Sequence, residues 1–364
     1  MSVKQILLAG DPYERGLQYG RECRDEIRIS LASYRRLFLK ERGLDWETSQ
    51  RAASRFLPFI SGRYKTYREE MRGLAEGAGV KFEEILALNC RSEILYSSLG
   101  SERTPDECTA FSAVAPATRP DVVLAGQTWD YTVAQRKALV IVRLPQEGET
   151  PARLLFLEAG MIGGMGVNAA GLCLTLNALS TEGADLGVPL RIRMRSILDQ
   201  NNINDAYREA VPMPIPFAAN LLITQKDGVS LSLELDPSGC DVLIPENGLL
   251  VHTNHWLGPR MVLCHQHSDM ASTYCRLQTL KQNLESRKDL TAEDIEAFFR
   301  DHRGYPVSVC RHCDSRLTGQ DHEDDYQTDF AFVADLKKGT VRFVEGNPCE
   351  GEFVTLTVGS ELSH

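Results

Sequence analysis

The sequence predicts an α+β protein of layered sheets, and three observations lead there. The first hundred residues repeat apolar side chains at helical spacing. Most of the chain after residue 108 falls into short β-branched or leucine-rich runs separated by Gly, Pro and Asp, the texture of antiparallel strands. Helical pattern then returns between two blocks of such runs, which suggests helices that cover sheets.

The helical part opens at Asp11-Pro-Tyr-Glu14: an acid at the cap, proline in the first turn and glutamate three residues after the cap each satisfy or spare an orphan backbone N–H. Leu17, Gly20, Ile27, Leu31, Tyr34 and Phe38 continue at helical spacing, with Arg24, Arg28, Arg35 and Arg36 largely on other faces, and Gly43 is the expected stop. A second helical stretch is expected from Trp46 towards Gly77. A third runs from Lys81 to about Leu99, with Glu83 and Glu84 complementing its N-terminal dipole.

Strands are expected at 122–129, 139–144, 153–158, 172–179, 220–224, 230–235 and 248–252. Helices follow at 269–284, where Met270, Tyr274, Leu277, Leu280 and Leu284 form a stripe, and at 291–302, with Thr291 as cap and a Leu290–Ile295 staple. Three final strands, 328–336, 340–345 and 352–358, turn at Lys338-Gly339 and Asn347-Pro348. Two segments between these elements look like binding motifs but lack the parts. The glycine-dense segment 160–166 leads into a strand pattern and carries no Lys-Ser/Thr, so it reads as close backbone approach or a pocket wall rather than a phosphate cradle. The acidic segment 319–329 lacks the spaced ligands, central glycine and closing glutamate of a calcium loop.

A chain of 364 residues permits one large domain or two. The net charge of −10 is uneven: residues 1–107 hold 18 Lys/Arg against 17 Asp/Glu, and the remainder 22 against 33. With no basic tail or stripe, neither nucleic acid nor an anionic membrane is an expected partner, and a small molecule is. The N-terminal apolar run is too short for a signal sequence and no stretch approaches the roughly 20 apolar residues of a span, so a cytoplasmic location is expected. The ten cysteines lie scattered, mostly in apolar runs, and no disulfide framework is expected. Cys310-Arg-His-Cys313, with His322 nearby and Cys264-His265-Gln-His267 upstream, contains zinc-ligand types at irregular spacing, so no metal is assigned. No cofactor is expected.

Cys108 stands at the boundary between the two textures. If the Glu107–Cys108 bond is cut, the cysteine gains an α-amine with a reference pKa of roughly 7.7–8.0 beside its own thiol, so one residue supplies nucleophile and base. His252, His255 and His312 are alternative bases, although a lone histidine in a strand-rich chain is more often a hydrogen-bonded structural residue.

An ordered set of segments carries a resemblance. These are Cys108-Thr-Ala-Phe, Gly126-Gln-Thr-Trp-Asp130, Gly166 to Asn177, His252-Thr-Asn-His-Trp256, Ser272-Thr-Tyr-Cys-Arg276, Val309-Cys-Arg-His312 and Gly346-Asn-Pro-Cys349, after the Asp11-Pro-Tyr-Glu-Arg-Gly opening. The set resembles the acyl-coenzyme A:6-aminopenicillanic acid acyltransferase family, peptidase family C45, of the N-terminal-nucleophile hydrolases. The resemblance implies a four-layer αββα sandwich, made as a precursor that cuts itself between Glu107 and Cys108. Residues 1–107 would become an α-rich small chain and 108–364 a β-rich large chain, together one αββα domain. Carried over, Cys108 is the nucleophile and Asn254 donates to the oxyanion. Asn177 is a second oxyanion or pocket residue, Asp130 holds the amine or pairs with Arg311, and Arg276 is a further active-site arginine. The implied substrates are acyl amides, with acyl-CoA as a potential co-substrate, and hydrolysis and acyl transfer stay open. One departure matters: the family's fungal acyltransferase has glycine before its cysteine where this chain has Glu107. The alternatives are a papain-like thiol protease using Cys108 with His252 or His255, and a non-catalytic binding protein of the same fold.

Overall fold

The structure, a computed structural model, describes residues 3–96, 107–181, 185–265, 270–313 and 322–359. Part of the acidic segment 319–329 and His267 lie outside the described residues, as does the side chain of His322.

The strands are β1 (Lys4–Leu7), β2 (Glu107–Ala113), β3 (Leu124–Thr132), β4 (Leu139–Leu144), β5 (Arg153–Glu158), β6 (Met165–Asn168) and β7 (Leu172–Ala178). They continue as β8 (Ala219–Gln225), β9 (Ser230–Asp236), β10 (Gly239–Leu243), β11 (Leu249–His252), β12 (Tyr326–Asp335), β13 (Thr340–Glu345) and β14 (Val354–Thr357). Among the described residues they form two sheets, ordered β1-β4-β5-β6-β7-β8-β9-β10 and β11-β2-β3-β12-β13-β14. Every pairing is antiparallel except β1 with β4.

Helices α1 (Pro12–Glu22), α2 (Arg24–Arg42), α3 (Trp46–Ser54), α4 (Leu57–Ser61), α5 (Lys65–Ala78), α6 (Phe82–Asn89) and α7 (Arg91–Tyr96) fill the first hundred residues. The cap at Asp11 is a complete capping box, and Gly43 ends α2 in the left-handed conformation (φ 63°). Where the sequence predicts one helix from Asp11 to Gly43, Cys23 (φ −111°, ψ 28°) divides it in two. Short α8 (Val133–Arg136) follows β3, and α9 (Leu190–Leu198) and α10 (Ile203–Ala210) follow β7. Last come α11 (Pro259–Cys264), α12 (Ala271–Glu285) and α13 (Ala292–Phe298).

Strand alternation sorts the side chains into layers. From the six-stranded sheet, Phe111, Ala113, Leu124, Val251, Ala331 and Val333 cluster with Leu280 and Leu284 of α12 and Ile295 and Phe298 of α13, so these helices cover that sheet's outer face. The opposite face meets the eight-stranded sheet, where Phe156 packs on Phe330, Phe332 and Phe343 at ring separations of 5.7, 4.8 and 5.2 Å. Beyond the eight-stranded sheet, apolar residues of α1, α2, α5, α6, α9 and α10 join the main core, which is shared by both halves of the sequence. This is the four-layer αββα sandwich that the resemblance implies. The glycine-dense segment is a place of close backbone approach: a Cβ on Gly163 would stand 1.9 Å from the carbonyl oxygen of Arg191 in α9. Among the described residues no helix is long and apolar enough to cross a membrane.

Candidate active site

Cys108 is the second residue of β2, a strand whose register with β3 sets Cys108 opposite Trp129 and Glu107 opposite Asp130. Ala110, on the same face of β2, joins a cluster with Leu222 of the facing sheet, and Ser112 Oγ lies 2.6 Å from Ser230 Oγ across the interface. By alternation the Cys108 thiol therefore points between the sheets, and it is 1 % exposed.

Three side chains from three segments grip the main chain of Cys108. Its N–H donates to Asn254 Oδ1 at 2.8 Å. Its carbonyl oxygen accepts from Asn177 Nδ2 at 3.2 Å and from Arg276 Nη1 at 2.6 Å. Topology explains the meeting. Strand β11 pairs with β2, His252 opposite Ala110, so extending the register two residues brings Asn254 level with Cys108. Asn177 reaches across from β7, and Arg276 comes through the outer layer from α12, where it also donates to Thr109 Oγ1 at 3.1 Å.

The donors also fix the orientation of Asn254. Arg276 Nη2 donates to Asn254 Oδ1 at 3.1 Å, and a guanidinium has no acceptor, so the atom facing it is the amide oxygen. Asn254 Nδ2 donates to the Ala178 carbonyl at 3.1 Å, while its backbone N–H donates to Thr273 Oγ1 at 2.8 Å. In this uncut chain Asn254 thus presents an acceptor to the nitrogen that cleavage would turn into an amine. Asn177 Nδ2 also reaches the His252 carbonyl at 3.3 Å, and its Oδ1 accepts from Asn220, whose own Oδ1 accepts from Ser232.

Asp130 and Arg311 form a second group one strand away. Thr328 Oγ1 donates to Asp130 Oδ1 at 2.7 Å and accepts the Arg311 backbone N–H at 2.9 Å, and the Thr328 N–H donates to the Arg311 carbonyl at 3.0 Å. The Arg311 guanidinium donates through Nε to the Tyr326 carbonyl and lies 5.5 Å from the Tyr326 ring. Asp130 is fully buried and Arg311 is 8 % exposed. Next along β12, burial pushes the Asp329 carboxyl well above its ordinary range, against a hydrogen bond from Gln327 and with the Asp130 charge adding to the rise.

The histidines near Asn254 are committed elsewhere. The His252 ring faces Glu234 Oε1 at 2.8 Å through Nε2 and the Thr253 carbonyl at 2.7 Å through Nδ1. Burial alone would raise Glu234, but His252 and the amides of Leu257 and Gly258 outweigh it and hold the carboxyl low. His255 contacts Thr273 Oγ1 at 2.9 Å, and burial, then the charges of His252 and Arg276, lowers its pKa to about 4. A papain-like pairing would need a ring nitrogen for the thiol; both nitrogens of His252 already face oxygens, and His255 is held through Nδ1 by Thr253 and Thr273.

Sequence reasoning named Cys108, Asn177, Asn254 and Arg276, which are joined here by direct bonds, and Asp130 and Arg311, which Thr328 links. It missed Thr273, Thr328, Asn220 and Ser232. Small hydroxyls and amides inside strands, and a threonine in a helix such as Thr273 of α12, carry no signal until the packing is known, although the Ser232–Asn220–Asn177 chain is the sort of polar run that a buried strand position must satisfy.

Comparison with known proteins follows the same line. The family model described as acyl-coenzyme A:6-aminopenicillanic acid acyl-transferase matches residues 117–350. The chain is similar, at 28% identity over 311 residues and 84% of both chains, to the 40 kDa form of acyl-coenzyme A:6-aminopenicillanic-acid-acyltransferase from Emericella nidulans. Among solved structures it is similar to the N-acylethanolamine-hydrolyzing acid amidase ortholog of Caenorhabditis elegans, at 16% identity and TM-score 0.44, covering 63% of this chain and 93% of that one. It is also similar to a mutant of conjugated bile acid hydrolase from Clostridium perfringens, at 14% identity and TM-score 0.47, covering 71% of this chain and 99% of that one. The chain belongs to the acyl-coenzyme A:6-aminopenicillanic acid acyltransferase family.

Proposed function

We propose that this chain is a self-processing cysteine amidohydrolase or acyltransferase of the N-terminal-nucleophile type, with Cys108 as its nucleophile. The observation that carries the reading is the convergence of Asn254, Asn177 and Arg276 on the main chain of one buried cysteine. Strand β11 ends at His252, so on that side the N–H and carbonyl of Cys108 are held not by a strand but by these three side chains, one of them a buried arginine.

In the first reaction the Cys108 thiol attacks the Glu107 carbonyl carbon, the C–N bond breaks, and the proton passes to the departing nitrogen. The product is a thioester of Glu107 on Cys108, and water then releases residues 1–107. The new α-amine, near neutrality in its reference pKa of roughly 7.7–8.0, stands at Asn254 and serves as base for the second reaction. There Cys108 takes the acyl group of an amide or an acyl-CoA as a thioester, the amine returns the proton to the leaving group, and water or an acceptor amine resolves it. Asn177 Nδ2, already on the Cys108 carbonyl, supplies an amide donor of the kind that stabilises an oxyanion, commonly by about 3–4 kcal/mol, and Asn254 joins it once its amide nitrogen turns from the Ala178 carbonyl to the reacting centre after cleavage. Asp130, opposite the Glu107 position, holds the freed amine, with Arg311 ordered beside it through Thr328. No metal or organic cofactor enters these steps, and a cytoplasmic small molecule is the proposed partner.

The reading is tested by quenching the protein during turnover of a panel of acyl amides and acyl-CoAs and mapping its peptides. An acyl mass on Cys108 is expected, and turnover with no adduct there and undiminished in Cys108→Ala would refute it.

A further inference from the structure

We propose that His302, Cys310, His312 and Cys349 form a tetrahedral site for a transition metal, best suited to zinc. The proposal does not depend on the chemistry assigned to Cys108. It rests on side chains from three separate segments: the residues after α13, the stretch 310–312 ahead of β12, and the turn after β13.

The four donor atoms lie within 4.8 Å of one another. His312 Nε2 is 3.0 Å from His302 Nε2, 3.3 Å from Cys349 Sγ and 3.7 Å from Cys310 Sγ. Zinc bonds of about 2.0–2.1 Å to nitrogen and 2.3 Å to sulfur give a tetrahedron with ligand–ligand edges of roughly 3.3–3.8 Å. The measured separations straddle that range, so a metal requires side chains to move by a few tenths of an ångström and the widest pair to close by about 1 Å.

The surroundings fit as well. The other ring nitrogen of His312, Nδ1, is 3.8 Å from Glu350 Oε1, so a carboxylate lies on the side away from the site, within reach of the imidazole N–H after a small shift. Asn347 Nδ2 approaches Cys310 Sγ at 3.9 Å, a donor suited to a thiolate. Backbone bonds from Cys310 N to the Asp301 carbonyl (3.1 Å) and from His312 N to the Pro306 carbonyl (2.9 Å) fix the ligands before any metal arrives. Cys310 is buried while His302 is exposed, so the site is anchored at one end and open for loading at the other.

The donor chemistry selects the ion. Two thiols lose their protons on binding, and two thiolates with two neutral imidazoles balance a divalent cation to zero net charge. Two sulfurs and two nitrogens in a tetrahedron suit zinc, and four protein ligands leave no position for catalysis, so the role is structural. Arg311 lies between two of the ligands, and its carbonyl also accepts from Asn347 at 2.5 Å. The metal therefore staples the segment that carries Arg311, whose backbone Thr328 links to Asp130. Cys313, although part of the Cys-x-x-Cys spacing, is not among the four; its thiol donates to Gln327 Oε1 at 3.5 Å. The sequence spacing was irregular because two ligands, His302 and Cys349, come from outside the motif.

Elemental analysis of the full chain, purified in reducing buffer without chelator, is expected to return one zinc per chain. Cobalt(II) exchanged into it should show the visible bands of a tetrahedral thiolate site. His302→Ala and Cys349→Ser should each weaken metal binding by more than about tenfold, as loss of a direct ligand must exceed loss of an outer partner, while Cys313→Ser keeps the full load. His302→Ala removes only an exposed side chain, so it reads binding separately from folding. Metal far below one equivalent with no cobalt spectrum would overturn the proposal. So would a Cys310–Cys349 disulfide in the metal-free protein that persists under reducing conditions.

Discussion

Replacing Arg276 tests whether the geometry around Cys108 is as tightly determined as the bonds indicate. The guanidinium is fully buried and donates to the Cys108 carbonyl, Thr109 Oγ1 and Asn254 Oδ1 at 2.6, 3.1 and 3.1 Å. Arg276→Lys keeps the charge but offers one nitrogen where two, Nη1 and Nη2, are used. At least one charge-assisted bond is lost, at a cost of about 1.5–3 kcal/mol. Arg276→Met fills similar space and donates nothing, leaving three buried acceptors without this partner, and should cost about 3–5 kcal/mol. Both substitutions belong in a Cys108→Ala background, which retains the accepting carbonyl and removes processing as a variable. Urea unfolding of the three proteins gives the differences directly, and the expected order is parent, then lysine, then methionine. If both variants stayed within about 0.5 kcal/mol of the parent, the usual range for surface positions, the claim that Arg276 organises this site would fail.

Two other expectations follow from the same core. His255 has a folded pKa of about 4 against an ordinary 6.5, so above pH 6.5 it is neutral in both states. As pH falls from there towards 4 the unfolded chain takes up a proton that the folded chain refuses, and stability drops by at most about 3 kcal/mol from this group; His255→Gln should flatten that part of the profile, and an unchanged slope would refute the assignment. Gly163→Ala places a Cβ 1.9 Å from the Arg191 carbonyl oxygen, where backbone rather than a flexible side chain must yield, and should cost about 1–3 kcal/mol or more in thermal unfolding; a wild-type melting curve would contradict it.

How much of this was legible beforehand varies with the physics of each element. Helix α1 was readable from Asp11, Pro12 and Glu14 because capping is local chemistry. Helix α9 was not, because every residue of Leu190–Leu198 is buried and an all-round buried helix has no apolar period. Its arginines look like a solvent face in the sequence, yet Arg191 pairs with Glu158 and Arg195 with Glu70 and Asp199 inside the protein. Strand β2 was hidden for a related reason: Cys-Thr-Ala-Phe-Ser-Ala holds mostly small side chains, and only pairing with β3 and β11 makes it a strand. Within the site, Cys108, Asn254 and Arg276 could be named from ordered motifs, but the side on which Asn254 presents its oxygen depends on Arg276, far away in sequence. Thr328, the link between Asp130 and Arg311, became visible only through the β3–β12 register.

The account turns on the bond between Glu107 and Cys108, and intact-mass analysis of the purified protein tests it most directly. The wild-type chain is predicted to separate on denaturation into residues 1–107 and 108–364, the larger beginning with Cys108, while Cys108→Ala remains a single chain of 364 residues. A wild-type protein that stays at full length through long incubation and still hydrolyses amides would contradict the central claim. Cleavage that persists in Cys108→Ala would do so equally.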